Sequence, residues 1–265
     1  MVALSSFAPI NLLVAIALLF AVLSIASAII HVRASQSELR KQIDAWWIFL
    51  PVVSLAVYAY PIGPIILSVL IVALGLRELF TQKLALQMAN KQTKQGTKNL
   101  HALSASLVLG LACVGFFPTL GLTAPAAQSW LFYLFALTAI NDICQFVSGK
   151  LFGRHKIAPL SSPNKTWEGL LGGIAGSTVF SMLLGLHLEL GSAVHLACLG
   201  FVLAIIGFFG DLVFSNTKRQ LGIKDFSQLI PGHGGILDRV DSLVFTAPAL
   251  YLWLIYWFYS PFRID

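Results

Sequence analysis

The sequence predicts an all-α polytopic membrane protein with about eight transmembrane helices, and three observations carry that expectation. Of 265 residues, 57% are hydrophobic and only 11% charged, less than half of the roughly 25% charge of soluble domains. A soluble fold of this size cannot hide so much apolar surface, so the surplus faces lipid. The apolar stretches also approach the length of about 20 residues that a helix needs to cross a ~30 Å hydrocarbon core. Ten-residue segments of alternating polarity are missing, which argues against a barrel, the other architecture that satisfies backbone groups in lipid.

Spans are predicted near 9–31, 46–60, 63–80, 102–119, 126–148, 168–188, 193–214 and 237–259. No Lys or Arg precedes the first apolar run; it lacks the basic start of a signal peptide and reads as a retained helix. The second and third are short enough to be tilted or partly buried. Segment 81–101 is polar and rich in Gln and Lys, and is expected to be an amphipathic or mobile connection. In the sixth, Gly169, Gly172, Gly173 and Gly176 form a one-sided ridge that another helix can approach closely. Trp46, Trp47, Trp253, Trp257 and Tyr259 lie near span ends, where amphipathic rings anchor in the headgroup layer. Cys113, Cys144 and Cys198 lie in apolar segments without metal or redox spacing and read as small core residues.

Positive charge alternates along the chain. Segments 32–45, 77–101, 149–167 and 215–239 hold 16 of the 17 Lys and Arg, whereas the connections near 61–62, 120–125 and 189–192 hold none. The basic segments are therefore expected on the cytoplasmic side and both termini on the opposite face. The net charge of +6 is this orientation bias and implies no nucleic acid.

Two polar regions on that side suggest chemistry. In Asn141–Gly169, Asp142 falls about two helical turns inside the fifth span, with Asn141 beside it and Gln145 on its face. A carboxylate at such depth costs on the order of 2.5–3.5 kcal/mol on insertion scales, so it should face a polar cavity or a cation. Ser162, Lys165 and Thr166 then lead into the next helix, a combination suited to phosphate. In Gly210–Ser242, Asp211, Ser215 and Lys218 share one helix face. Arg219, Lys224 and Asp225 follow, then a turn with His233 and Gly234, then Asp238, Arg239 and Asp241. Asp238 and Asp241, three residues apart, should share a face at the start of the last span. Carboxylates from two helices can hold a hard cation, while Lys and Arg grip phosphate oxygens. Glu78 beside Arg77 reads as a structural ion pair, Glu168 as a favourable charge at a helix start, and the histidines outside the Gly-rich turn as interfacial residues.

The run Ser215–Asp241, S-N-T-K-R-x4-K-D-F-S-x2-I-P-G-H-G-G-I-L-D-R-V-D, resembles the signature of the phosphatidate cytidylyltransferase family, and Ser162–Gly169 resembles its second motif. The likeness covers the chain from Asn141 onward; the N-terminal half matches only as apolar spans. The resemblance implies transfer of cytidylyl from CTP to phosphatidic acid, giving CDP-diacylglycerol and pyrophosphate. It further implies Mg²⁺, with K⁺ as a possible companion, a homodimer, and a bacterial inner membrane. By the same resemblance Asp211 and Asp238, supported by Asp241, hold the metal, while Lys165, Lys218, Arg219, Lys224 and Arg239 position the phosphates. Ser162 and Ser215 donate hydrogen bonds to phosphate oxygens. Asn141, Asp142, Asp225, His233 and Gly234 complete the expected substrate contacts. The expected organisation is N-terminal helices and a loop over 1–101 and a catalytic membrane core over 102–265, in one integrated domain.

Where common members carry A-D-x-x-A-Y, this chain has Asn141-Asp142-Ile143-Cys144-Gln145-Phe146, so the acceptor lipid can differ. A CTP-dependent lipid kinase of the polyprenol type is the rival enzyme. An ion-coupled transporter is the rival outside enzymology, disfavoured by one-sided charge and the lack of a repeat.

Overall fold

In a computed structural model describing residues 9–33, 38–88, 94–115, 117–229 and 234–259, the chain is a bundle of long helices joined by short connections. The helices are α1 Ile10–Arg33, α2 Glu38–Tyr58, α3 Ile62–Met88, α4 Lys94–Gly115, α5 Ala124–Phe152, α6 Trp167–His187, α7 Ala193–Gln220, the short α8 Leu237–Val240, and α9 Leu243–Tyr259. Among the described residues, five stretches are long and apolar enough to cross a membrane: 62–87, 124–152, 167–187, 193–220 and 237–257. Shorter apolar helices cover Ile10–Ile25, Trp46–Tyr58 and Leu100–Gly115. The chain is a multi-pass membrane protein.

Helices outrun the apolar windows at several ends. The polar segment expected as a connection over 81–101 is helical through Met88 and again from Lys94, because Gln, Lys, Ala and Leu are good helix formers with or without lipid. The loop 149–167 contains a β-hairpin among these helices. Strand β1 (Lys156–Ala158) pairs antiparallel with β2 (Ser162–Thr166), with Lys156 opposite Thr166 and Ala158 opposite Ser162. The last predicted span divides at Asp241–Ser242 into α8 and α9.

In lipid, apolar side chains gain little by leaving one apolar surface for another, so helices associate through close van der Waals packing and interhelical hydrogen bonds. The glycine ridge of α6 supplies that packing. A Cβ at Gly172 would run into Ser148, one at Gly173 into Gln145 and one at Gly176 into Cys144, so the ridge lies directly on α5. Asn141 adds polar glue, donating to Ala204 O on α7 (3.2 Å) and accepting from Ser177 Oγ on α6 (3.1 Å). Away from the polar end, Trp130, Tyr133, Leu196, Leu199, Leu203, Leu250 and Leu254 are fully buried or nearly so.

Two residues expected as interface anchors also close over a histidine. Trp253 donates to His195 Nε2 (2.6 Å), and Trp257 stacks on its ring at 3.8 Å. His195 is thereby buried within the protein. Cys198 lies exposed on the outside of α7, contrary to its reading as a core residue; Cys113 and Cys144 are half-buried.

Candidate active site

α5, α6 and α7 pack so that their polar ends surround a cavity of about 190 Å³, roofed by β2. Thr166 ends β2 and caps α6, its hydroxyl accepting from Gly169 N at 3.1 Å. Glu168, one residue into α6, reaches back to accept from Arg154 N (3.0 Å) and His155 N (3.2 Å), and pairs with the His155 ring at 2.6 Å. It ties the entry of the hairpin to its exit, a role beyond the helix-start charge expected of it. With the hairpin anchored, Lys165 points inward. Its ammonium pairs with Asp211 at 2.8 Å, donates to Phe208 O at 3.3 Å, and sits 4.5 Å from the centre of the Phe208 ring.

Asp211 is held from its own helix as well: Ser215 donates to its Oδ1 at 3.0 Å, the contact that i, i+4 spacing predicts. Asp142 enters from α5 and accepts from Ser242 Oγ at 3.1 Å. Asp241, at the break between α8 and α9, accepts from Ser242 N at 2.8 Å. Asp142, Asp211 and Asp241 lie within electrostatic reach of one another. Three carboxylates converging in a membrane protein call for positive charge beside them; Lys165 pairs directly with Asp211, and Arg239 is within charge reach of Asp142.

A second ion pair lies further along α7. Lys218 meets Asp238 at 2.7 Å, and the other Asp238 oxygen accepts from Phe226 N (3.0 Å) and Gly235 N (2.9 Å). Asp238 is 6% exposed, against 32% for Asp211. Lys218 is also within charge reach of Asp241, so the two clusters adjoin. Among the described residues, no three His, Cys, Asp or Glu side chains are arranged as a ready-made ion site. The oxygen donors that do converge, the carboxylates of Asp142, Asp211 and Asp241 with the Ser215 and Ser242 hydroxyls, are of the kind a hard divalent cation takes.

The sequence profile of the cytidylyltransferase family matches residues 2–257. The chain belongs to the cytidylyltransferase family. It is 45% identical over 124 residues to the uncharacterized protein YnbB of Escherichia coli K12, covering 47% of this chain and 42% of that one. It is 36% identical over 154 residues to a phosphatidate cytidylyltransferase of Staphylococcus saprophyticus, covering 57% and 59%. Against a phosphatidate cytidylyltransferase of Brucella suis it is 39% identical over 151 residues, covering 57% and 52%. The chain thus spans about half the length of the curated relatives it matches.

Within this cytidylyltransferase-family chain, the two motif regions meet through Lys165–Asp211, and a hydroxyl–carboxylate contact joins Asp142 to Ser242. Ser162 lines the cavity with Gln145, Phe146 and Asn164. The Gln145 Nε2 atom is buried without a hydrogen-bond partner among the described residues. Asn141, expected at the substrate, is 2% exposed and spends its amide on α6 and α7, outside the cavity lining. Arg219 donates to Ser161 O (3.3 Å) and Ile223 O (3.4 Å), bracing the hairpin turn against the end of α7. Arg239 is exposed and within charge reach of Asp142, Lys224 and Asp225 are exposed, and His233 lies outside the described residues. Gly234 has φ +81, a conformation that favours glycine, and packs against Asp238.

Asp238 and Asp241 were expected to act from one helix face. The break after Val240 gives them different work: Asp238 gathers Lys218 and two backbone amides, while Asp241 joins Asp142 and Asp211. Glu78 was read as half of an ion pair, yet its partners among the described residues are Ser227 Oγ and the amides of Ile236 and Leu237. The sequence signal for this was one carboxylate kept at the end of an apolar span. Local spacing held no hint of its distant partners.

Proposed function

We propose that this protein transfers a cytidylyl group from CTP to phosphatidic acid, releasing pyrophosphate and forming CDP-diacylglycerol. The observation that carries the reading is the pair of adjoining lysine–carboxylate clusters, Lys165–Asp211 and Lys218–Asp238, beside a cavity lined by hydroxyls and amides. One oxygen of the lipid phosphate attacks the α-phosphorus of CTP, forming a new P–O bond as the α–β anhydride bond breaks. A phosphate monoester is already anionic at neutral pH, so no general base has to remove a proton. Lys165 and Lys218 are placed to neutralise phosphate oxygens as charge moves onto the leaving pyrophosphate. Ser162 and Ser215 supply hydrogen bonds, and Arg219, Lys224 and Arg239 raise the positive potential at the cavity mouth.

Mg²⁺ is the proposed cofactor, with Asp211, Asp241 and Asp238 as its carboxylate donors and Asp142 within charge reach; when bound it supplies charge neutralisation to the phosphates. K⁺ beside it remains part of the reading. In the proposed topology eight helices cross a bacterial inner membrane, with the cavity facing the cytoplasm and both termini opposite, as the distribution of Lys and Arg supports. The proposed assembly is a homodimer.

The test is purified protein given phosphatidic acid, Mg²⁺ and CTP labelled at either the α- or the γ-phosphate. Label from the α-position in the lipid, with γ-label in pyrophosphate, is the expected result. Lipid labelled from the γ-position would make the protein a lipid kinase. No lipid labelling from either position would remove phosphatidic acid as the acceptor.

A further inference from the structure

Glu78 lies on α3, outside both motif regions, and is 5% exposed. Its Oε1 accepts from Ser227 Oγ at 2.6 Å and Ile236 N at 2.9 Å, and its Oε2 accepts from Leu237 N at 3.1 Å. One turn further along α3, Gln82 Nε2 donates to Phe226 O at 2.6 Å. α3 therefore grips the chain on both sides of the Gly-rich turn, at Phe226–Ser227 and at Ile236–Leu237. From the opposite side Asp238 takes the amides of Phe226 and Gly235 while pairing with Lys218. Gly235 is caught between the two carboxylates, and a Cβ there would run into that of Glu78.

Three donors converge on Glu78, and an ionised carboxylate is the side chain that accepts from all of them. A glutamine would turn an N–H₂ toward at least one donor and leave a buried group unpaired. The same backbone that Glu78 holds also supplies two of the donors to Asp238, whose other oxygen holds the Lys218 ammonium.

We propose that Glu78 is a positioning residue of the transfer site: through the backbone that it holds, it sets where Asp238 and Lys218 stand relative to the nucleotide phosphates. The inference rests on the cytidylyl-transfer reading above. It brings the N-terminal half of the chain into the chemistry, although the recognisable motifs begin only at Asn141.

The experiment is a steady-state comparison of full-length wild type, Glu78→Gln, Lys218→Met and the double variant, with thermal melts of each. Glu78→Gln should lower kcat/KM for CTP by about tenfold or more, the factor that one unpaired buried group corresponds to. Added to Lys218→Met, the same change should cost less than about twofold, because coupled residues do not add. A Glu78→Gln enzyme with unchanged kcat/KM overturns the assignment, as does an equal loss in both backgrounds, which marks general weakening. If Glu78→Gln does not fold, Gly235→Ala presses on the same carboxylate from the other side and carries the same two comparisons. A wild type that makes no CDP-diacylglycerol sinks the underlying reading before any variant is measured; an active wild type with an unaffected Glu78→Gln sinks the role of Glu78 alone.

Discussion

The two lysine–carboxylate pairs are chemically alike and structurally opposite. Lys165–Asp211 stands in a cavity wall, with a carboxylate 32% exposed and held by one serine. Lys218–Asp238 is enclosed, with a carboxylate 6% exposed and both oxygens engaged, one by the ammonium and the other by two backbone amides. An open pair can exchange its partner for an incoming phosphate or cation at small cost. A closed pair does so only at a larger cost, because releasing either partner strands a charge where water is scarce. Identical motif letters therefore combine ligand handling with the setting of a backbone.

That contrast can be broken or sharpened by substitution. Lys165→Met is expected to have the largest effect on catalysis, lowering kcat by about 10²–10³-fold, as for loss of a transition-state charge partner. Its melting curve should fall by less than that of Asp238→Asn, since the Asp211 carboxylate left behind is 32% exposed and keeps its Ser215 hydrogen bond. A large loss of stability here would erase the distinction between the pairs.

Asp238→Asn is expected to act first on stability, at about 3–5 kcal/mol, because it leaves Lys218 buried and unmatched. Chemical denaturation in mild detergent would measure it. The double variant Lys218→Met/Asp238→Leu should recover much of that stability while remaining inactive. Recovered activity would show that the enclosed pair serves only folding.

Gly176→Leu forces a side chain against Cys144 at the contact of α5 with α6. A cost of about 1–3 kcal/mol is expected from overpacking, read as a lower melting temperature with kinetic constants changed less than for either lysine. Gln145→Ala should be the mildest. It removes from the cavity wall an amide whose Nε2 has no partner among the described residues, and should alter relative rates among acceptor lipids with little change in KM for CTP. Unchanged acceptor preference would exclude Gln145 as a selectivity residue.

Much was readable from local chemistry. Long apolar runs must become helices in lipid because every backbone group needs an internal partner, and each of the eight predicted stretches is largely helical among the described residues, five of them long and apolar enough to cross a membrane. The glycine spacing on α6 announced a close helix contact, and the i, i+4 spacing of Asp211 and Ser215 announced their hydrogen bond. Less readable was the hairpin, whose strands are three and five residues long and carry no alternating pattern. The split of the last helix was also hidden, since Asp238 and Asp241 have the i, i+3 spacing of one continuous face.

The sequence by itself determined that this is a helical membrane protein of the cytidylyltransferase family, because composition, span length and a long motif are local properties. Only the tertiary structure decided which carboxylate meets which lysine, that Asn141 binds helices outside the cavity lining, and that Glu78 reaches across from α3. Those outcomes depend on groups separated by up to 159 positions, and a hydrogen bond is made where the packed helices bring donor and acceptor within about 3 Å.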